Sequence, residues 1–249
     1  MNQNNADTNW LAAPAELSLD DQQVHVWRVS LNAPEDTLAL LHSTLATNEA
    51  EQANRFRSSE HRSWFVARRG ALRAILARYL DIGPAGMNFT FGPHGKPALI
   101  CGDSQLQFNL SDSNGLAVIA ITRGRAIGID IEHIRSGRAE EAIAQRFFST
   151  GECASLMSLP AGQRRDAFFN CWTRKEAYIK ARGEGLSLPL NSFEVSLKPG
   201  DPATLLYSNE GPAETRRWTM RTICPGKGFA GCLAVEGNSW QMRCWNWSP

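Results

Sequence analysis

The chain of 249 residues has no apolar run near the roughly 20 residues needed to cross a bilayer. It also has no basic-then-apolar leader, because Met1 to Leu11 is polar and rich in asparagine. No membrane partner is expected, and the expected compartment is the cytoplasm. The six cysteines, at 101, 153, 171, 224, 232 and 244, form no CxxC pair and no Cys/His spacing suited to a metal. Reduced thiols are expected, since a chain of this length buries a core without staples. Net charge is nearly absent at +1, and 43% hydrophobic with 20% charged residues excludes a disordered or coiled-coil chain.

What is there is an uneven distribution of that charge. Residues 1–54 hold eight acids against Arg28, whereas residues 55–78 hold seven arginines against Glu60. A near-neutral total thus hides a basic segment, and such segments attract phosphate or acidic partners. Nothing else in the chain points to nucleic acid.

Residues 1–20 read as a mobile lead-in. Val24 to Val29 alternates as a strand, and Leu38, Leu41 and Leu45 follow Pro34 at helical spacing. Ser58 caps a long amphipathic helix through Leu80, with Phe65, Leu72, Ile75 and Leu76 on one face and arginines on the other. Strands are expected near Asn88 to Phe91, Gln105 to Leu110, Leu116 to Thr122 and Arg125 to Ile131. Residues 140–182 read as helix with a break at Leu159 to Gly162, and four further strands fill the remainder. Arg68-Arg69-Gly70-Ala71-Leu72 resembles Arg174-Lys175-Glu176-Ala177-Tyr178 at an offset of 106, and Phe89-Thr90-Phe91 resembles Phe193-Glu194-Val195 at 104. The expected fold is α+β, a pseudo-dimer of two similar subdomains at 21–115 and 116–249, each a small antiparallel sheet with a long helix.

Chemistry concentrates at a few places. In Gly128-Ile129-Asp130-Ile131-Glu132, strand alternation sends both carboxylates to one face while Ile129 and Ile131 face the core. Such a pair is tolerable at a solvated strand end or around a hard cation such as Mg²⁺. Trp172, Glu176 and Lys180 share one helix face beside Lys175, either as an exposed ion pair or as a third carboxylate with lysines for an anionic substrate. Ser111-Asp112-Ser113 reads as a polar turn able to meet phosphate, and the turn Gly92 to Pro97 presents Lys96. Phe148, Leu156 and Met157 either pack in the core or touch an acidic partner helix.

Taken in order, Gly95-Lys96-Pro97, Phe108-Asn109-Leu110-Ser111-Asp112-Ser113, Gly128 to Glu132, Trp172 to Ala177 with Lys180, and Gly183 to Ser187 resemble the motifs of the 4′-phosphopantetheinyl transferases of the Sfp type. The resemblance runs from about Arg55 to Phe193. It implies transfer of the phosphopantetheine arm of coenzyme A to a serine of an apo acyl or peptidyl carrier protein, with release of 3′,5′-ADP. It also implies Asp130, Glu132 and Glu176 as ligands of Mg²⁺ (or Mn²⁺), and Glu176 and Lys180 as the catalytic pair. Coenzyme A contacts then fall to Lys96, Ser111, Asp112, Lys175 and Lys180, with Arg62 and Arg69 facing the 3′-phosphate. Glu176 corresponds to Gly70 in the repeat, so one site per chain is expected, at the junction of the halves of a monomer.

Asp112 departs from the family turn, commonly Ser-His-Ser, whose histidine faces a coenzyme phosphate. An ionised aspartate cannot donate and repels phosphate, so Asp112 turns outward, acts through a cation or water, or weakens binding. On the last reading Asp112→His lowers the coenzyme KM. Two other functions use the same residues: a Mg²⁺-dependent coenzyme A phosphohydrolase, and a non-catalytic carrier-binding relative, against which the intact acid and lysine set counts.

Overall fold

The computed structural model describes residues 8–100, 105–135 and 140–249. The first part of the chain forms β1 (Leu11–Ala12), β2 (Gln23–Ser30), α1 (Glu35–Ser43), α2 (Thr47–Asn54) and α3 (Ser59–Ala77). Then come β3 (Phe89–Phe91), β4 (Pro97–Leu99), β5 (Leu106–Ser113), β6 (Leu116–Arg123) and β7 (Ile127–His133). Three helices follow, α4 (Glu140–Phe147), α5 (Thr150–Ser158) and α6 (Ala161–Arg182). The chain closes with β8 (Phe193–Val195), β9 (Leu205–Ser208), α7 (Pro212–Arg217), β10 (Trp218–Thr222), β11 (Phe229–Glu236) and β12 (Gln241–Asn246).

Two sheets carry the two long helices. The first has the order β1-β12-β2-β6-β5, antiparallel through β2, β6 and β5, with β12 and β1 added in parallel at its edge. The second is antiparallel, β10-β11-β7, and β3–β4 and β8–β9 are separate hairpins. On the first sheet, Phe65, Leu72, Ile75 and Leu76 of α3 pack with Trp27, Val29, Ile119 and Ile121. On the second, Phe168, Tyr178 and Ile179 of α6 pack with Trp218, Met220 and Ala234. A third core joins the two sheets, with Val24, Val26, Val118 and Ala120 against Ile127, Ile129, Ile131 and Leu233. Strand β6 therefore faces a core on each side, which is why its sequence reads as an unbroken apolar run rather than an alternation.

Several expectations shift. Residues 1–7 of the lead-in lie outside the described residues. Beyond them, Thr8 Oγ1 accepts from Cys224 N–H, Trp10 Nε1 donates to Cys224 O, and β1 pairs with β12, so this part is tied to the body. The division expected at 115/116 falls at the β5–β6 turn inside the first sheet, and β12 returns to that sheet, so it draws on both ends of the chain. Polar α2 was not anticipated. Its Glu49 accepts the Ala46 N–H and pairs with Arg73 at 2.7 Å, so tertiary charge pairing supplies what apolar periodicity lacks. Ser111 to Ser113 belong to β5, and the turn lies at Asn114-Gly115, both at positive φ. The helical region breaks a second time at Phe148 and Ser149, where Ser149 caps α5. Phe148 and Leu156 are core residues and Met157 is exposed. The five described cysteines are free, and no described helix is long and apolar enough to cross a membrane.

Candidate active site

Strands β5 and β7 lie in different sheets, and side chains stitch them together. Asn109 Oδ1 accepts from Ile129 N–H at 2.8 Å, Ser111 Oγ from Ile131 N–H at 3.3 Å, and Ser113 Oγ from His133 N–H at 3.1 Å. The register is set by the period of two, since these are alternate residues of both strands. Each serine hydroxyl then donates to a carboxylate: Ser111 to Asp130 Oδ1 at 2.8 Å and Ser113 to Glu132 Oε2 at 3.0 Å. The joint between the sheets thus fixes where both acids point.

Helix α6 delivers the other groups. Gly128 of β7 lets it approach closely, because a Cβ there would lie 2.1 Å from Ala177 O and 2.3 Å from Ala181 N. Glu176 and Lys180, each one residue before these alanines, and Trp172, one turn earlier, line a cavity of about 360 Å³ that Ser111, Asp112, Asp130, Glu132 and Arg68 also line. Lys180 Nζ donates to Asp130 Oδ1 at 2.6 Å and to Ser111 Oγ at 3.3 Å. Burial pushes the Glu176 carboxyl up to about 7, reinforced by Asp130 and Glu132. Burial likewise raises Asp130 against the pull of Lys180, and burial with Asp130 raises Glu132.

Three acids against one adjacent lysine leave an excess of negative charge, and Asp130 Oδ2 is buried without a hydrogen-bond partner. Among the described residues, no group of three or more His, Cys, Asp or Glu is arranged to hold a metal by itself. A divalent ion that takes one or two carboxylates and completes its shell with water and substrate phosphate fits this donor set.

A second cavity of about 270 Å³ adjoins the first and shares Arg68, Leu110 and Lys180 with it. Arg69, His94, Lys96, Asn109 and Gly183 line the remainder. Nε and Nη1 of Arg69 are buried without hydrogen-bond partners, and Glu49 is 3.7 Å away. Lys96 Nζ donates to Ile127 O at 2.9 Å and Lys180 O at 2.8 Å, fastening the β3–β4 hairpin to β7 and α6. Burial lowers its pKa to about 8.

The expected residues therefore sort into groups. Asp130, Glu132, Glu176, Lys180, Asp112, Lys96 and Arg69 line the two cavities. Lys175 does not: it is fully buried, pairs with Glu152 at 2.7 Å and donates to Leu190 O and Phe193 O. It sits off the cavity face because adjacent helical residues are about 100° apart. Ser111 lines the acid cavity, but its hydroxyl holds Asp130 and the β7 backbone, so it positions a carboxylate where a phosphate contact was expected. Arg62 is exposed and lines neither cavity. Sequence reasoning gave no site role to Arg68, Asn109 or Gly128, and it read Ser113 as a phosphate contact where its hydroxyl holds Glu132 and the His133 N–H. The alternation Asn109, Ser111, Ser113 in step with Ile129, Ile131, His133 is the signal that would have found the joint.

Residues 126–232, which include β7 and α6, match the model of the 4′-phosphopantetheinyl transferase superfamily. The chain is 41% identical over 242 residues to the 4′-phosphopantetheinyl transferase HetI of Nostoc sp., covering 96% of this chain and 98% of that protein. It is 31% identical over 193 residues to the 4′-phosphopantetheinyl transferase Sfp of Bacillus subtilis, 77% of this chain and 83% of that one. An apo-ACPS structure from Chronobacterium ammoiniagenes is similar at 20% identity with a TM-score of 0.35, over 46% of this chain and 98% of that chain. With nearly full-length identity above two residues in five, and with the acid and lysine groups of β7 and α6 inside the matched segment, the chain belongs to the 4′-phosphopantetheinyl transferase superfamily.

Proposed function

We propose that this enzyme works with Mg²⁺ among Asp130, Glu132 and Glu176, with one or two of these carboxylates binding it and water and substrate phosphate completing its shell, releases 3′,5′-ADP, and acts as a cytoplasmic monomer. The family transfers the phosphopantetheine arm of coenzyme A to a carrier-protein serine. The observation that carries the site assignment is the continuity of two cavities, one lined by acids and one by Arg69 and Lys96, with Arg68 and Lys180 at their shared neck.

In this reading the nucleotide end of coenzyme A lies toward Arg69 and Lys96, and its diphosphate reaches the acid cavity. A bound divalent ion supplies charge neutralisation at the diphosphate oxygens. Glu176 takes the proton of the incoming serine hydroxyl, directly or through one water. The serine oxygen forms its bond to the phosphorus bearing the pantetheine arm, and the bond from that phosphorus to the 3′,5′-ADP oxygen breaks. Lys180, held by Asp130 and Ser111, stays beside the developing negative charge.

The test incubates the protein with coenzyme A, Mg²⁺ and an apo carrier protein and follows the intact mass of the carrier. One added phosphopantetheine, lost in Glu176→Ala and absent without metal, supports the reading. Cleavage of coenzyme A with an unchanged carrier mass would replace it with a phosphohydrolase.

A further inference from the structure

Of the three readings of Asp112, turned outward, acting through a cation or water, or weakening the coenzyme's binding, the structure favours the second by giving it a cationic partner. On β5 it forms an ion pair with Nη1 of Arg68, which projects from α3, and both side chains are about one-quarter to one-third exposed. Arg68 lines both cavities, and Lys180 is the other cation common to the two. A ligand that runs from the arginine side to the acid side passes both of these cations. Each is held by an aspartate, Lys180 by Asp130 and Arg68 by Asp112. The Arg68 Nε is buried without a hydrogen-bond partner, and the planar fork keeps donors free beyond the one facing Asp112.

We infer that Arg68 is a coenzyme-binding residue that takes the diphosphate at the neck, and that Asp112 is the positioning residue that aims it. The inference rests on the transferase reading above for the identity of the ligand. Asp112 is then no defect: its charge is matched before the coenzyme arrives, and the pair presents guanidinium donors to a dianionic group. This reverses the earlier expectation for Asp112→His, which removes the aiming group and weakens binding.

The experiment measures coenzyme A affinity by calorimetry on the full-length protein with Mg²⁺, in a two-by-two set of Arg68→Ala and Asp112→Ala. Thermal melts confirm that each variant is folded, and Arg68→Lys serves as the charge-preserving comparison. Arg68→Ala should weaken coenzyme A by about tenfold or more, the scale of a charge-assisted hydrogen bond. Arg68→Lys should recover part of that loss. Asp112→Ala should weaken binding while Arg68 is present and strengthen it once Arg68 is gone, a change of sign that a purely structural role does not produce. Dephospho-coenzyme A, which lacks the 3′-phosphate, should show the same fold-loss for Arg68→Ala.

Tighter binding in Asp112→Ala with Arg68 intact overturns the inference. So does an unchanged affinity in Arg68→Ala, or a loss that vanishes with dephospho-coenzyme A. Carrier labelling by the wild type keeps the two levels apart. Labelling with an indifferent Arg68→Ala sinks only this inference, whereas coenzyme binding without labelling sinks the transferase reading and leaves the role of Arg68 at the diphosphate to the binding data.

Discussion

Replacing Gly128 with alanine tests whether helix–strand contact sets the site. The added methyl would meet Ala177 O at 2.1 Å, Ala181 N at 2.3 Å and Ala181 Cα at 2.9 Å, all backbone atoms of α6. Cβ atoms do not approach closer than 3.0 Å, and a helix backbone cannot rotate out of the way as a side chain can. Helix α6 must therefore retreat from β7 by about 1 Å, an overpacking strain that costs about 1–3 kcal/mol or more. Glu176 and Lys180 ride on the displaced turns, while Asp130 and Glu132 stay with β7 and its serine joint. A misplacement of about 1 Å can cost about 100-fold in rate. Gly128→Ala should accordingly lower the thermal midpoint by circular dichroism and reduce carrier labelling by about two orders of magnitude in the folded fraction. Gly162→Ala is the control: it lies in the first turn of the same helix with nothing within 4 Å of its Cβ, and should stabilise by about 0.5–1 kcal/mol or less through helix propensity. A Gly128→Ala protein with wild-type melting and labelling would refute the argument that this contact positions the acids and lysine.

Lys175→Met should destabilise by about 3–5 kcal/mol in urea unfolding, because it leaves Glu152 charged and buried, and the folded variant should keep its coenzyme affinity. Weaker coenzyme binding without loss of stability would return Lys175 to the binding set. Ser111→Ala should cost about 1–3 kcal/mol by the same assay, since it strips a buried acceptor from Ile131 N–H and a donor from Asp130; an unchanged midpoint would show that the joint is not held this way. Glu176 gives a pH signature. Its carboxyl is raised from 4.5 to about 7, so the folded state binds the extra proton, and the associated stability is present below 4.5 and lost as pH rises through 7. Without metal, Glu176→Gln should therefore gain stability over wild type as pH rises through this window. Mg²⁺ should stabilise wild type at the upper end and close the gap, and a difference flat with pH would contradict the cluster's electrostatics.

How much of this was legible depended on whether the cause was local. Strand β7 and the shared face of Asp130 and Glu132 follow from a period of two, and α3 and α6 follow from apolar spacing and their ends. Lys175 enters the coenzyme set only through the resemblance, although the helical wheel separates it from Trp172, Glu176 and Lys180, and the structure puts it in a buried pair with Glu152. Ser111 to Ser113 was misread because serine, aspartate, asparagine and glycine together signal a turn. The hydroxyls instead satisfy the backbone of a strand in the other sheet, a cause 20 residues away. The basic stretch reads as attracting phosphate or acidic partners, yet Arg73 is buried against Glu49 and the carbonyls of Pro84 and Met87, and half-exposed Arg78 donates to those of Pro14 and Ala15. Only Arg68 and Arg69 of that helix reach the cavities.

The same packing explains why the repeat yields a single acid cluster. Gly70 corresponds to Glu176, and a Cβ at Gly70 would lie 2.5 Å from Leu41 Cβ and 3.0 Å from Leu41 Cα, because α1 crosses α3 there. Leu41 is itself buried, so it has nowhere to go. A glutamate at 70 could appear only by evicting α1 from the first core, and with it the apolar cover that lets α3 carry its arginines on one side. On α6 the corresponding position faces a cavity, and burial there raises the carboxyl to about 7. The two halves thus diverge because one long helix is covered by α1 and supplies cations at its edge, while the other is left open over β7 and supplies the acid. On the proposed reading a coenzyme bridging the two cavities needs both, which would tie a single site to the junction rather than to either half.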